Sequence, residues 1–156
     1  SREGGVLDEQ DEQLLMGALH FDARSIESVA ISFDEVQTLP VDCTVAGIES
    51  AAAHGFSRFP LVQADGTPVG YVHVKDVLGA DAQTRERPLQ PSGIRELPSF
   101  APQQSVRTAL QEMQLSGAHL ALVREGGTGK VTGMVTLEDM LAELVGQIRD
   151  EHRSAH

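Results

Sequence analysis

Thr136 and Asp139 stand three residues apart in the run Gly133-Met134-Val135-Thr136-Leu137-Glu138-Asp139, at the head of an apolar stripe. A hydroxyl at a helix N-cap and an acidic residue at N3 satisfy two orphan backbone donors, so the pair reads first as a capping box. The spacing recurs upstream with altered chemistry: Asp76 keeps the carboxylate, while His73 takes the place of the hydroxyl. An imidazole ring is no compact hydroxyl donor. Arg58 is one of few cations beside a helix end, and its planar fork suits phosphate oxygens, although a surface arginine among carboxylates looks the same. The stretch Glu125-Gly126-Gly127-Thr128-Gly129-Lys130 approaches a phosphate-binding loop. Arg124 replaces its first glycine and Val131 its closing hydroxyl residue, so a hairpin loop is the better reading. No nucleophile elbow is present, and Cys43 lies between Asp42 and Thr44 without a cation to activate it. His152 and His156 have helical metal-ligand spacing but sit in a tail without apolar periodicity, and His20 and His54 have no companions.

The elements that must position these residues come as an internal repeat. Thr44-Val45 opens one copy and Ser105-Val106 the other, 61 residues on; Val62 and Val123 are again 61 apart, and Gly70 and Gly133 are 63 apart. The two extra residues fall in the turn, where insertions are tolerated. Each copy has a hydroxyl N-cap, then apolar residues at helical spacing: Val45, Ile48 and Ala52, or Val106, Ala109, Leu110 and Met113. Gly55 and Gly117 stop those helices. Two β-rich runs follow, joined by Asp65-Gly66 or Gly126-Gly127, and a second helix closes each copy. The later of these carries Leu137, Met140, Leu141, Leu144, Val145 and Ile148 on one stripe. Short leading strands are expected near Val36 to Leu39 and Pro98 to Phe100.

The expected class is therefore α/β in the α+β sense: two tandem β-α-β-β-α units packed sheet to sheet, because a unit this small cannot bury both sheet faces alone. The expected boundaries are 1–30 for an acidic N-terminal helix and connector, 31–80 for the first unit and 81–96 for a linker. The second unit follows at 97–149 and a disordered tail at 150–156. The N-terminal helix rests on Leu14, Leu15, Ala18 and Leu19 behind Asp8, Glu9, Asp11 and Glu12, whose charges suit a helix N-terminus.

Composition narrows the function classes. The 156 residues carry 12 Lys and Arg against 23 Asp and Glu, a net charge of -11 that repels nucleic-acid phosphates and anionic membranes. With no Trp and one Tyr, stacking platforms for single strands are scarce, and no nucleic-acid partner is expected. A lone cysteine forbids an internal disulfide and fits a reducing compartment. No apolar run is long enough to cross a bilayer, and the acidic N-terminus is unlike a secretory signal.

Two tandem units, each ending in Gly-hydrophobic-hydrophobic-x-x-x-Asp before a helix, resemble a cystathionine-β-synthase (CBS) domain pair, or Bateman module. Ser57-Arg58-Phe59-Pro60, Val72-His73-Val74-Lys75-Asp76-Val77-Leu78, His119-Leu120-Ala121-Leu122-Val123 and Gly133 to Gly146 further resemble the cytosolic module of the CorC, hemolysin-C-like and cyclin-M-like transporters. A transmembrane domain precedes the module in that family, so the chain is expected to be a fragment of an inner- or plasma-membrane protein. The resemblance implies a non-catalytic homodimer that binds an adenine nucleotide, ATP with Mg2+ or AMP, and regulates magnesium or cobalt transport. It implies that Thr136 and Asp139 hold ribose hydroxyls or a phosphate, and that His119, Ala121 and Phe100 wall the adenine. Ser57 and Arg58 then reach the phosphates, and Asp76 marks a weaker second site. Mg2+ bridging the phosphates would offset the acidic field, with no protein metal site. The chain departs from the family at Ala30-Ile31-Ser32-Phe33, where Met-hydrophobic-Pro-Arg is usual. The rival reading is a structural dimerisation module without a ligand, its motifs serving only as caps.

Overall fold

The computed structural model describes residues 24–154, with side chains through 146. In chain order the elements are β1 (Ile31–Ser32), β2 (Leu39–Pro40), α1 (Val45–Ala52), β3 (Arg58–Val62), β4 (Pro68–His73) and α2 (Ala82–Arg85). They continue with β5 (Ser99–Phe100), α3 (Val106–Ser116), β6 (Leu120–Arg124), β7 (Val131–Thr136) and α4 (Leu137–Ser154). The repeat is plain at its caps. Thr44 Oγ1 accepts the Gly47 N–H at 3.1 Å and Ser105 Oγ accepts the Thr108 N–H at 3.1 Å, each closing one orphan donor of α1 or α3. Gly117 ends α3 in the left-handed region at φ 74°, where a Cβ would be strained.

Each copy builds one mixed sheet. In one, β2 runs parallel to β3 and β3 pairs antiparallel with β4; in the other, β5 runs parallel to β6 and β6 pairs antiparallel with β7. The edge beyond β7 is taken by β1, with Ile31 opposite Met134 and Ser32 opposite Gly133. The edge beyond β4 is taken by an antiparallel bridge between Tyr71 and Arg95. Each sheet thus receives the segment that precedes the other copy in sequence. One compact unit is Glu35–Leu97; the other joins 24–34 to 98–154. By this division residues 31–34 pack with the second copy, and the whole of the expected linker, 81–96, packs with the first.

Two glycines make the exchange possible. A Cβ on Gly70 would lie 2.5 Å from Ile94 Cγ2 and 2.6 Å from the Arg95 carbonyl oxygen, and one on Gly133 would lie 2.8 Å from the Ile31 carbonyl oxygen. Only a bare backbone admits the crossing segment that closely.

The cores differ in cover. In the first unit Val45, Ile48, Phe59, Leu61, Val72 and Val77 are buried together. In the second a larger cluster gathers Ile26, Phe100, Leu110, Met113, Ala121, Val123 and Val135 under Met140 and Leu144 of α4. The second helix expected in the first copy is absent. After β4 the chain makes one 3-10 turn, Val74–Asp76, and reverses at Gly79 with φ 81°. Asp81 then caps α2 inside the supposed linker, its Oδ1 accepting the Thr84 N–H at 2.7 Å. α4 runs to Ser154, into the expected tail 150–156, since no proline follows Gly146 and a single glycine costs a helix only about 1 kcal/mol. The expected N-terminal helix around Leu14 to Leu19 lies outside the described residues.

Candidate functional site

The β6–β7 hairpin and the start of α4 assemble the best candidate. Strand register sets Leu120 opposite Thr136. The His119 carbonyl therefore takes the first N–H of α4, from Leu137, at 2.9 Å. Thr136 Oγ1 takes the Asp139 N–H at 2.9 Å, so Thr136 caps the helix while the Asp139 half of the capping box is not made. Asp139 is exposed, and its carboxylate has no hydrogen-bond or ionic partner among the described residues. Glu138 precedes it, so two carboxylates lie in the first turn, where the helix dipole favours them. His119 Nδ1 lies 3.2 Å from Glu138 Oε1, which draws the ring toward the same helix start. Three of the residues singled out in the sequence, His119, Thr136 and Asp139, are thus gathered at one place.

Phe100 and Ala121 are not. Expected to wall an adenine, they are 4% and 0% exposed and belong to the core beneath the helices. The cause is strand alternation: Ala121 and Val123 face α3 and α4, and Phe100, paired with Val123, joins them.

The first copy repeats this geometry with other side chains. The Ser57 carbonyl takes the Val74 N–H at 2.8 Å, and Arg58 sits opposite His73 in the register. Ser57 and Arg58 therefore hold the places that His119 and Leu120 hold in the second copy, in the other compact unit. His73 does what Thr136 does by different means: its Nδ1 accepts the Lys75 N–H at 3.0 Å. That bond places the ring proton on Nε2. Burial, and then the charges of Arg58 and Lys75, push the imidazole below its ordinary pKa, which favours this neutral form.

Asp76 is where sequence reasoning missed a partner. Its Oδ2 accepts from Arg95 Nε at 2.8 Å and its Oδ1 from Arg95 Nη2 at 2.6 Å, a two-pronged pair, while Oδ2 also takes the His73 N–H at 3.3 Å. Hydrogen bonds from Arg95 hold the carboxyl below the ordinary carboxylate value. The weaker second site thus has its carboxylate already engaged by the chain itself. The signal available in sequence was a lone arginine between Ile94 and Glu96, uninterpretable without the crossing at Gly70.

Each unit also has an open cleft. One of about 580 Å3 is lined by Ala30, Ile31, Ser32, Glu125, Gly126 and Gly133 among others, at the hairpin end of β7 away from Thr136. One of about 450 Å3 lies between Asp76 to Ala80 and the segment carrying Thr84, Arg87 and Leu89. Among the described residues no group of three or more His, Cys, Asp or Glu could hold a metal ion, and no helix is long and apolar enough to cross a membrane.

Comparison with known proteins agrees with the fold. A family model described as "CBS domain" matches residues 28–83 and 94–146. An uncharacterised protein of Mycobacterium tuberculosis (strain ATCC 25618 / H37Rv) is 36% identical over 154 residues, covering 94% of this chain and 44% of that protein. The magnesium and cobalt efflux protein CorC of Buchnera aphidicola subsp. Schizaphis graminum is 30% identical over 158 residues, covering 97% of this chain and 53% of its own length. The chain spans about half the length of these curated relatives. Among solved structures, the CBS domain of the bacterial CNNM/CorC family Mg2+ transporter in complex with ATP superposes with a TM-score of 0.74. It shares 21% identity and covers 88% of this chain and 98% of that one.

Proposed function

The chain belongs to the CBS-domain family, and from that premise we propose that it is a regulatory module whose second copy binds an adenine nucleotide. The observation that carries this reading is the start of α4. There Thr136 closes a backbone donor, and the exposed Asp139 carboxylate is left without a partner among the described residues. A carboxylate accepts from both hydroxyls of a ribose, and helix N-terminal N–H groups favour a phosphate close by. His119 supplies a ring at the same helix start. The kinship with CorC, and the ATP held by a solved module of this fold, support the choice of ligand.

In this reading nucleotide occupancy on a pair of chains regulates a membrane transporter of divalent cations, with the module on the cytosolic side and no catalysis of its own. The net charge of -11 makes Mg2+ part of the ligand: ATP brings about four negative charges into a like-signed field, and the cation bridges its phosphates. Calorimetry with ATP, ADP and AMP, each with and without Mg2+, tests the binding. ATP affinity is expected to rise with Mg2+, and AMP affinity to change less. No heat with any of the three at millimolar concentration overturns the ligand. A stable dimer in light scattering whose melting ignores nucleotide then returns the module to a structural role. In a chain carrying the transporter domain, Asp139→Ala is expected to remove the nucleotide dependence of Mg2+ flux.

A further inference from the structure

Both copies bring a carboxylate to the same place after a sheet strand, and a crossing segment to the edge of that strand. The residue carried by the segment differs. Tyr71 and Met134 each follow the glycine of their copy, and opposite them stand Arg95 and Ile31 respectively. Arg95 and Ile31 are therefore equivalent positions on the two exchanged segments. In the second copy an apolar, 39% exposed isoleucine leaves Asp139 without a cation among the described residues. In the first, backbone bonds in both directions between Tyr71 and Arg95, at 3.0 and 2.7 Å, fix the arginine, and its fork closes on both oxygens of Asp76.

We propose that Arg95 is the residue that closes the first copy: its guanidinium occupies the carboxylate that would otherwise meet a ligand's hydroxyls, and so limits the chain to one nucleotide. The inference rests on the reading that the equivalent carboxylate, Asp139, takes ligand. The arginine fork takes one acceptor direction on each carboxylate oxygen and the His73 N–H another on Oδ2, so the two-pronged face a ribose diol would use is filled. A neutral diol is a weaker donor than the charged fork already held by the backbone. His73 adds to the closure, since its ring fills the cap that a small hydroxyl would leave open.

The test is calorimetric stoichiometry with MgATP on the full chain, for the wild type and four variants: Asp139→Ala, His73→Thr, His73→Thr/Arg95→Ala, and that double variant with Asp139→Ala added. Circular dichroism melting establishes folding in each. About one equivalent per chain is expected for the wild type and for His73→Thr, and none for Asp139→Ala. The double variant is expected to take about two, and the triple variant about one, now in the first copy. Arg95 is refuted as the closing residue if the double variant stays at one and the triple binds none, or if His73→Thr alone gains the second equivalent. The underlying reading fails separately, if Asp139→Ala binds as the wild type does; the Arg95 proposal then stands only if the double variant still gains an equivalent. Should the double variant not melt cooperatively, Arg95→Met keeps the packing of the stem in the same background and carries the same expectation. No binding in any variant ends both.

Discussion

At the end of β7, Thr136 caps a helix of 18 residues; at the end of β4, His73 caps a 3-10 turn of three. The strands before these caps share their pairing, and both sheets have a register shift near the same point, between Leu61 and Val62 and between Val123 and Arg124. What differs is confined to the cap, the length of helix behind it and the residue brought alongside by the exchanged segment. A duplicated backbone can therefore keep a carboxylate in place twice while leaving it open once. The first copy commits its carboxylate to its own chain; the second leaves it without a partner among the described residues.

That contrast is broken most sharply by removing each carboxylate in turn. Asp139→Ala and Thr136→Ile are expected to lower nucleotide affinity by about 100-fold or more, a loss of roughly 2.7 kcal/mol. Asp76→Ala is expected to stay within about twofold. Equal losses from Asp139→Ala and Asp76→Ala in a calorimetric titration would mean that the two copies share the work.

The cover of the two cores gives the next difference. Leu144 of α4 is 0% exposed, and Leu144→Ala is expected to cost about 3 kcal/mol through lost burial and a cavity. Val77 stands at the matching edge of the first core at 6% exposure, and Val77→Ala is expected to cost only about 1.5 kcal/mol, since fewer methyl groups leave and a turn relaxes more easily than a helix. Urea unfolding of both variants measures the gap; a Val77→Ala loss as large as that of Leu144→Ala would show the turn to be as rigid a lid as α4.

The two crossing glycines separate the copies by less. Gly70→Ala and Gly133→Ala are each expected to destabilise by about 1 to 3 kcal/mol, because the added methyl meets a backbone carbonyl in both and, at Gly70, the Ile94 side chain as well. Gly70→Ala should be the worse, with contacts at 2.5 and 2.6 Å against 2.8 Å at Gly133. Thermal melting ranks them, and the reverse order would place the tighter crossing on β1.

Which of these features could be read in the sequence follows from how local each one is. The caps at Thr44, Ser105 and Thr136 were legible because a hydroxyl and the N–H it serves lie three residues apart. The hairpins were legible for the same reason. The exchange of leading segments was not: it pairs Ile31 with Met134 across most of the chain, through a two-residue strand whose pattern is too short to carry a period. Phe100 and Ala121 were misplaced because apolar residues on a strand look alike on both faces until the pairing decides which face meets the helices. The missing helix of the first copy did leave a trace. Gly79 stops the chain three residues after Asp76 and Asp81 offers a fresh cap at once, whereas no glycine follows Asp139 until Gly146.

Acid is expected to separate the copies last and least. In the first copy Arg95 lowers the Asp76 carboxyl below its ordinary 3.8. A carboxylate depressed in the folded state binds fewer protons there than in the unfolded chain, so its contribution is present above the unfolded value and is lost as pH falls through the folded one. His73 is also depressed, from 6.5, first by burial and then by the charge of Arg58. The unfolded chain again binds the proton more readily, so the His73 contribution is present above 6.5 and fades as pH falls toward the lowered value. Protonation also turns Nδ1 from acceptor to donor and breaks the bond from the Lys75 N–H. Two windows follow, the His73 window below 6.5 and the Asp76 window below 3.8. Side-chain exposures of 36% for Arg95 and 21% for Asp76 let solvent screen the pair, which limits it to about 1 kcal/mol, or a few degrees in Tm. Melting curves from about pH 8 to pH 3 on the wild type, His73→Thr and Asp76→Asn resolve the two. His73→Thr should flatten the upper window alone and Asp76→Asn the lower. If Asp76→Asn follows the wild type throughout, the Arg95 fork adds no net stability, and its part in the first copy is to fill the carboxylate rather than to hold the fold.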